Sequence, residues 1–259
     1  MTELFNLTGK VALVTGGNGG IGLGMAQAMA EAGAKIAIWG TNADKNAAAL
    51  EQLSAVTDAE AWICNVADPD EVDARMADVV ARFGRLDGCF ANAGVSGRGN
   101  KSYLDLSREE WRRMMSINLD GVHYTYQAAL RHMVERASAG DPGGRLACVS
   151  SLASVSGAAR SEHYAATKGA LNAMTYALSV EFARYGITAN AILPGWIATD
   201  MTANATSNEK FQQNVGTRIP VRRWGTPEDF AGIAVYLMSD ASAYHTGQTI
   251  MIDGGYWRF

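Results

Sequence analysis

Cysteine and proline are scarce in this chain of 259 residues, which contains three cysteines and five prolines. Cys64, Cys89 and Cys148 lie far apart in apolar runs, and their number is odd, so we interpret them as reduced and buried rather than paired. None of the four histidines stands in an HxxxH or HExxH pattern, and no CxxC pair is present. These absences argue against a metal site built from protein side chains.

Long apolar runs and an excess of basic residues are also missing. No run approaches the roughly 18 residues of a transmembrane helix. The N-terminal residues MTELFNLTGK show neither the basic stretch nor the apolar core of a secretory signal. The net charge of −4 provides no basic surface for nucleic acid. We therefore expect no membrane and no nucleic-acid partner, and a cytoplasmic location.

What the chain does contain is a regular alternation of short β-rich runs and helical segments. The predicted strands are Lys10–Thr15, Lys35–Trp39, Ala61–Cys64, Leu86–Ala91, Arg145–Val149, Thr188–Leu193 and Thr249–Ile252. The predicted helices are Leu23–Glu31, Ala43–Leu53, Asp68–Phe83, Ser107 to about Arg136, 162–185 and Pro227–Met238. This order predicts one domain over 1–259, a Rossmann-like, doubly wound α/β fold with about seven parallel strands and helices on both faces. Residues 196–226 are polar and irregular, which predicts a mobile lid.

Three glycines follow the first predicted strand, at Gly16, Gly20 and Gly22. Glycine permits a tight turn and a close approach of the backbone to a pyrophosphate, and the next helix offers free N–H groups at its start. Such a loop on its own is also typical of an ordinary flexible turn. Its position directly after the first strand favours dinucleotide binding.

A second pattern joins Ser151, Tyr164 and Lys168. Tyr164 and Lys168 are four residues apart in a helical run, so their side chains project from one face. A neighbouring ammonium favours the phenolate, which predicts a lowered pKa for Tyr164 and a role as acid and base. Ser151 follows an apolar run, where the end of a strand would place its hydroxyl beside the phenol.

These motifs, in this order, resemble the short-chain dehydrogenase/reductase family over nearly the whole chain. The matching segments are TGGNGGIG at 15–22, ANAG at 91–94, Asn118, Ser151, YAATK at 164–168, PGWIAT at 194–199 and DGG at 253–255. The chain departs from the usual pattern at Ala91, where the family has Asn, and at Asn65, where it has Asp. An Asn carbonyl can still accept from an adenine amino group.

The resemblance implies a role for each catalytic residue. Ser151 positions the substrate oxygen, Tyr164 is the acid/base, Lys168 lowers its pKa and holds the nicotinamide ribose, and Asn118 holds a water that links Lys168 to solvent. The positions that it places at the cofactor are Gly16, Asn18, Gly20, Ile21, Gly22, Thr41, Asn65, Val66, Asn92, Gly94, Tyr164, Lys168, Pro194, Gly195, Ile197 and Thr199. No metal is implied.

The implied activity is an NAD(P)-dependent alcohol dehydrogenase or carbonyl reductase that interconverts a secondary alcohol and a ketone by hydride transfer. An alternative is a catalytically silent nucleotide-sensing protein, although a sensor has no need of the complete set of four catalytic residues. An epimerase or dehydratase acting on a nucleotide sugar would need a larger C-terminal substrate domain than this chain can hold.

The substrate stays open between two chemical classes. The chain is similar to the gluconate and 2-deoxygluconate dehydrogenase branch, and an arginine could hold a carboxylate. The lid aromatics and methionine equally suit an apolar cyclic or aryl ketone. The candidate substrate residues are Ser96, Arg98, Arg160, Trp196 and Met201.

The last two expectations concern the choice of cofactor and the oligomeric state. Gly40 stands where NAD-preferring relatives carry an acid, and Thr41 and Gly19 stand where NADP-preferring relatives carry a cation. Because Asn18, Thr41 and Asn42 can serve a ribose diol, we favour NAD, with NADP as the alternative and Lys45 as the nearest cation. The resemblance also implies a homotetramer, or at least a dimer, through the helices 107–136 and 162–185.

Overall fold

The computed structural model describes residues 3–97 and 102–258 of the chain. Seven strands form one parallel sheet in the order β3-β2-β1-β4-β5-β6-β7. The strands are β1 Val11–Thr15, β2 Lys35–Gly40, β3 Ala59–Ile63, β4 Gly88–Ala91, β5 Gly144–Val149, β6 Ile187–Pro194 and β7 Gln248–Ile252. The order reverses between β1 and β4, which is the switch point where a doubly wound sheet opens a crevice.

Helices connect the strands. They are α1 Gly20–Glu31, α2 Ala43–Ser54, α3 Pro69–Phe83, α4 Arg108–Met115, α5 Gly121–Ser138, α6 Ala153–Ser156, α7 Glu162–Glu181, α8 Ala203–Thr206, α9 Glu209–Arg218 and α10 Ala231–Met238. A π-helical turn at Ser116–Asp120 joins α4 to α5. Within the described ranges no helix is long and apolar enough to cross a membrane.

The sheet is buried on both faces because helices cover each of them. Alternate residues of β1 point to opposite sides. Leu13 packs in one apolar cluster with Val79 of α3 and Met133 of α5. Val14 packs in a second cluster with Met25 of α1 and Leu53 of α2. The predicted fold class is confirmed: a doubly wound parallel α/β sheet with helices on both faces.

The ends of several helices differ from the sequence prediction. α1 begins at Gly20 rather than Leu23 because the last residues of the glycine turn already form its first turn. The helix predicted from Ser107 does begin there, with the Ser107 hydroxyl accepting from the Glu110 N–H at 3.1 Å. Hydrophobic periodicity does not reveal the π-helical turn that interrupts it, since the apolar face continues on both sides.

The segment 196–226 is more regular than its composition suggested. It contains α8, α9 and a 3₁₀ turn at Asp200–Thr202, so the expectation of an irregular segment is wrong. Polar side chains supply the helix starts: the Asn208 carboxamide accepts from the Phe211 N–H at 3.0 Å and begins α9. The three cysteines are free and buried, as predicted.

Candidate active site

A pocket opens at the carboxyl ends of the central strands, where the sequence motifs meet. Gly16 follows β1, Asn92 follows β4, Ser151 follows β5 and Gly195 follows β6. The lining residues that the sequence predicted are Gly16, Asn18, Gly20, Ile21, Asn92, Gly94, Ser151, Tyr164, Lys168, Pro194, Gly195, Ile197, Thr199 and Met201. Parallel strands bring these distant segments together because their carboxyl ends share one edge of the sheet.

The glycine turn forms a cradle on one side of this pocket. Gly16 and Gly20 have positive φ angles of 62° and 51°, which side chains other than glycine rarely adopt. A Cβ on Gly22 would lie 2.3 Å from the Gly16 carbonyl oxygen, so α1 packs directly against the turn. Gly19 precedes α1 as its N-cap and provides no side-chain cap, which leaves the first N–H groups of the helix for an anion. These residues fit the pyrophosphate of a dinucleotide.

Asn92 supports that cradle from β4. Its carboxamide donates to the carbonyls of Thr15 and Gly16, both at 3.0 Å. The Thr15 hydroxyl in turn accepts from the N–H groups of Asn92 and Ala93. The polar groups of Asn92 are therefore used to fix the end of β1 against β4, which holds the glycine turn in place.

Tyr164 and Lys168 also line the pocket, and both lie on α7. The Lys168 ammonium is 5.6 Å from the centre of the Tyr164 ring, and the Lys168 side chain is almost completely buried. Burial lowers the pKa of Lys168 to about 8. Burial also raises the pKa of Tyr164, and a hydrogen bond with the Ser151 hydroxyl offsets part of that rise. Desolvation of the phenol outweighs the effect of the neighbouring protein groups, so the expectation of a lowered pKa for Tyr164 is wrong.

The residues that follow β5 hold α7 in register with the sheet. The Ser150 hydroxyl donates to the Lys168 backbone carbonyl at 2.9 Å. The Lys168 ammonium donates to the Val149 carbonyl at 2.7 Å. The Ser151 hydroxyl accepts from the Ala153 N–H at 3.1 Å, which turns its oxygen toward the start of α6. The end of β5 and the helix α7 thus hold the side chains of Lys168 and Ser151 in place through backbone contacts.

Asn118 is fully buried within the π-helical turn. Its carboxamide accepts from the Val95 N–H at 2.8 Å and donates to the Val95 carbonyl at 2.9 Å. A Cβ on Gly94 would lie 3.3 Å from the Asn118 oxygen and 3.7 Å from the Lys168 nitrogen, so Asn118 lies behind the lining of the pocket. The side chain fixes the segment after β4, and its place in a water relay stays a prediction.

Several residues predicted at the cofactor lie away from this lining. Gly22 is packed behind the glycine turn, and Thr41 follows the end of β2. The Asn65 carboxamide accepts from the Ala67 N–H at 3.2 Å and closes a local turn. Val66 is buried in the apolar cluster against α5. Their roles at an adenine ring or a ribose stay predictions.

Among the predicted substrate residues that the structure describes, only Met201 lines the pocket. Its side chain is half exposed. Ser96 is exposed, and its carbonyl accepts from the Arg113 guanidinium at 3.1 Å. Arg160 is exposed in the turn before α7, with a positive φ of 67°. Arg98 lies outside the described residues.

Trp196 belongs to a group of four aromatic side chains beside the pocket rather than to its lining. Its ring centre is 5.1 Å from Phe211, 5.5 Å from Trp224 and 6.5 Å from Tyr256. The Arg218 guanidinium lies 4.4 Å from the Tyr256 ring centre. Because Phe211 lies on α9 and Tyr256 in the C-terminal turn, the aromatic group ties these two elements together.

Two pairs of polar residues at the outer end of the pocket escaped the sequence analysis. Lys45 lines the pocket with its side chain half exposed and its ammonium 2.5 Å from the Asp200 carboxylate. The Asn18 carboxamide donates to the Asn46 carboxamide oxygen at 2.7 Å. Both pairs join residues that are distant in the chain, so no local pattern could have indicated them.

Comparison with known proteins gives the same assignment along the chain. A family model described as enoyl-(acyl carrier protein) reductase matches residues 16–257. The chain is 35% identical to a 2-dehydro-3-deoxy-D-gluconate 5-dehydrogenase of Dickeya dadantii, over 97% of each protein. It is 34% identical to a gluconate 5-dehydrogenase of Gluconobacter oxydans, over 98% of this chain and 96% of that protein.

A solved structure is similar over the same length. The crystal structure of a gluconate 5-dehydrogenase from Burkholderia cenocepacia, in complex with NADP and tartrate, superposes with a TM-score of 0.92. The two chains are 34% identical, and the match covers 99% of this chain and 98% of that one.

Proposed function

The chain belongs to the short-chain dehydrogenase/reductase family, and from that premise we propose that Tyr164, Ser151 and Lys168 carry its reaction. The protein is an NAD(P)-dependent oxidoreductase that interconverts a secondary alcohol and a ketone. The observation that supports the residue roles is that all three side chains line one pocket with the glycine turn. The silent nucleotide-sensing alternative is not favoured, since the related proteins are dehydrogenases and reductases.

The chemistry assigned to the side chains follows from their surroundings. A bound nicotinamide cofactor supplies the hydride acceptor or donor. Tyr164 donates its proton to the oxygen of a ketone in reduction and removes the alcohol proton in oxidation. Ser151 holds the same oxygen by a hydrogen bond, while Lys168 supplies a positive charge that favours the phenolate. The glycine turn and the start of α1 would hold the pyrophosphate of the cofactor.

For the substrate we propose a sugar acid or a closely similar hydroxy acid. The support is the full-length similarity to two sugar-acid dehydrogenases. Arg160 precedes Tyr164 by four residues and is exposed, so its guanidinium is free of burial and offers a bidentate partner for a carboxylate.

An apolar cyclic or aryl ketone is a second candidate. It is favoured by the apolar side chains that line the pocket, which include Val95, Ile197 and Met201. A panel of sugar acids, simple secondary alcohols and cyclic and aryl ketones, followed by the absorbance of the reduced nicotinamide, tests both candidates. Turnover of sugar acids alone supports the first, whereas turnover of apolar ketones alone supports the second. A complete lack of turnover on the panel with either cofactor would contradict the proposed function.

Between the two nicotinamide cofactors we propose a preference for NAD. Gly40, Thr41 and Gly19 provide no charge at the end of β2 or in the glycine turn. A 2′-phosphate without a fixed cation forgoes charge-assisted hydrogen bonds of roughly 1.5–3 kcal/mol each. The nearest ammonium, that of Lys45, is paired with Asp200.

We also propose that the chain assembles as a homotetramer through α5 and α7. A groove between these helices is lined by apolar side chains that include Tyr126, Leu130, Met174 and Leu178. Five alanines allow a close approach of a second helix along α7: Ala165, Ala166, Ala170, Ala173 and Ala177. A second copy of the chain would cover this groove.

Two further proposals concern the lid and the compartment. The segment 196–226 carries Met201 at the pocket and is joined to the body through the aromatic group around Trp196, so its movement would open the pocket. Three free, buried cysteines agree with a reducing compartment such as the cytoplasm. Protection from hydrogen exchange with and without cofactor tests the first proposal, and cell fractionation tests the second.

A further inference from the structure

The end of β2 carries no side chain where dinucleotide-binding folds commonly place an acid for the ribose 2′-hydroxyl. That position is Gly40. A Cβ there would lie 2.1 Å from the Asn18 amide nitrogen and 2.4 Å from the Asn46 carboxamide oxygen. The paired amides of Asn18 and Asn46 therefore occupy the space that a side chain at residue 40 would need. A side chain at residue 40 and the Asn18–Asn46 amide pair therefore exclude each other.

The orientation of Asn46 is fixed by its surroundings. It is buried, and its amide nitrogen donates to the carbonyls of Gly40 and Trp62, both at 3.1 Å. Carbonyl groups can only accept, so an inverted amide would place its oxygen against two other oxygens. The Asn46 oxygen must therefore face Asn18, whose amide nitrogen donates to it at 2.7 Å.

The fixed orientation of the Asn46 carboxamide also fixes that of the Asn18 carboxamide. Because its nitrogen is turned toward Asn46, its oxygen points away from Asn46, and Asn18 is one of the residues that line the pocket. Among the described residues, no hydrogen bond to that oxygen is formed. A buried residue thus determines that Asn18 presents an acceptor at the end of β2.

We propose that Asn46 is a positioning residue for cofactor selection, which holds Asn18 so that its oxygen accepts from the 2′-hydroxyl of the adenosine ribose. This inference rests on the proposed function, since it concerns the same dinucleotide. A 2′-phosphate offers mainly acceptor oxygens and negative charge, so it is opposed by the Asn18 oxygen. The neutral pair thereby replaces the missing acid. A neutral hydrogen bond changes affinity by about two- to tenfold, so the resulting preference for NAD is moderate.

The test measures dissociation constants for NADH and NADPH with the full chain, by titration of nicotinamide fluorescence. Asn46→Leu removes the fixed acceptor and frees Asn18 to turn its N–H groups outward. We expect the preference for NADH over NADPH to fall by about fivefold, a typical neutral hydrogen-bond effect. Asn18→Ala reduces it similarly, and Asn46→Leu in the Asn18→Ala background causes no further change.

A matched control is Asn190→Leu. Asn190 is also buried, donates to the His245 carbonyl at 2.8 Å and accepts from the Gln248 N–H at 3.1 Å, but lies outside the pocket lining. We expect this variant to leave the ratio of the two dissociation constants unchanged, even where it lowers stability. If Asn46→Leu does not fold, Gly40→Ala replaces it, because the added methyl group displaces the Asn18 amide.

Two results overturn the inference. One is an equal loss of affinity for both cofactors in Asn46→Leu or Gly40→Ala, which indicates a purely structural role. The other is an effect of Asn46→Leu on the ratio that persists when Asn18 is alanine. Failure of the wild-type chain to bind either cofactor is a different outcome, which contradicts the proposed function itself.

Discussion

The ammonium of Lys168 is held by the backbone carbonyl of Val149, the last residue of β5, at 2.7 Å. The carbonyl stabilises the charged form, but burial opposes it and lowers the pKa of Lys168 to about 8. The group is therefore mostly charged at neutral pH and loses its charge under mildly alkaline conditions. The pocket thus contains a cation whose charge is sensitive to pH near the working range.

The first prediction is an alkaline limit on ketone reduction. Reduction requires a protonated phenol and a charged ammonium, and burial raises the pKa of Tyr164, so the phenol stays protonated through this range. We expect kcat/KM for the reduced cofactor to be level below about pH 8 and then to fall roughly tenfold per pH unit, because this ratio reports groups of the free enzyme.

Variants of Lys168 provide the control. The guanidinium of Lys168→Arg stays charged, so kcat/KM of this variant should not fall above about pH 8, even where its value is lower than that of the wild type. Lys168→Ala should lower both the rate and the affinity for the cofactor, and an effect on the rate alone would argue against contact with the ribose. A wild-type profile that stays level to pH 10 would contradict the assignment of the limb to Lys168.

The second prediction concerns the proton donor. Tyr164→Phe keeps the packing of α7 and removes the phenolic proton, so we expect turnover to fall by about 10²–10⁴-fold. The dissociation constant for the cofactor should change little. Tyr176→Phe is the matched control, because Tyr176 lies on the same helix with its side chain half exposed and away from the pocket lining. Turnover of Tyr164→Phe within tenfold of wild type would refute the acid/base role.

Most residues of the pocket lining could be named from the sequence because they sit in local patterns attached to strand ends. Gly16, Ser151, Tyr164 and Lys168 each follow a recognisable strand or share a helix face, and a parallel sheet necessarily brings those segments together. The alternation of elements determined the fold for the same reason, since each strand is a short apolar run covered on both faces.

The remaining features depend on contacts between distant segments. The sequence predicts Trp196 as a substrate residue, but its aromatic partners on α9 and in the C-terminal turn place it in a cluster beside the pocket. Asn46 reads as an ordinary helix residue, since its partners Gly40 and Trp62 are set by the pairing of β2 with β3. Neither arrangement has a signature in the local sequence.

The third prediction concerns stability at the opposite end of the sheet. Burial raises the pKa of the Asp87 carboxyl, but hydrogen bonds from Arg85 and the Val11 N–H, with the charge of Arg136, outweigh it and leave the pKa below its usual value. The carboxylate accepts from Val11 at 2.9 Å and from Arg136 at 2.7 Å. Removal of one partner from a buried ion pair costs about 3–5 kcal/mol, which we expect for Asp87→Ala in urea unfolding at neutral pH.

The pH dependence provides a second measurement. Since the folded pKa of Asp87 is depressed, its contribution to stability is present above its unfolded pKa of about 3.9 and is lost as the pH falls through the folded value. Asp73→Ala is the control, because the exposed pair of Asp73 with Arg131 contributes less than about 1 kcal/mol. Equal losses in the two variants would contradict the buried pair's larger role.

The fourth prediction is the assembly. Light scattering should give a mass about four times the 27.5 kDa of one chain. Met174→Arg places a charge in the groove between α5 and α7, beside Leu178, and we expect the mass to fall. Val56→Arg adds the same charge at a half-exposed position after α2 and should leave the mass unchanged. A wild-type mass near 27.5 kDa at micromolar concentration would refute the tetramer.

The last prediction concerns the ion pair at the outer end of the pocket. Lys45 lies in the first turn of α2 and Asp200 begins the 3₁₀ turn within 196–226, so their 2.5 Å contact joins two distant segments that line the pocket. The hydrogen bond and charge of Lys45 lower the pKa of Asp200, so its carboxylate is charged at neutral pH and competes with any phosphate for the ammonium. Asp200→Asn releases Lys45, and we expect NADPH to bind about threefold more tightly while NADH changes little. Both side chains are largely exposed, so we expect only a small gain in affinity for NADPH, and this gain should decrease as salt is added.

The variant Lys45→Met tests whether Lys45 is responsible for the gain in NADPH affinity. In the Asp200→Asn background it should abolish the gain in NADPH affinity, since no ammonium is left to reach the phosphate. Asp240→Asn is the control: Asp240 forms a similar pair with Lys10 before β1, so both cofactors should bind as before. A gain that survives loss of Lys45, or one of equal size for NADH, would show that Asp200 acts on the lid as a whole. The dependence on both Lys45 and the 2′-phosphate therefore separates competition for one cation from a general loosening of the pocket.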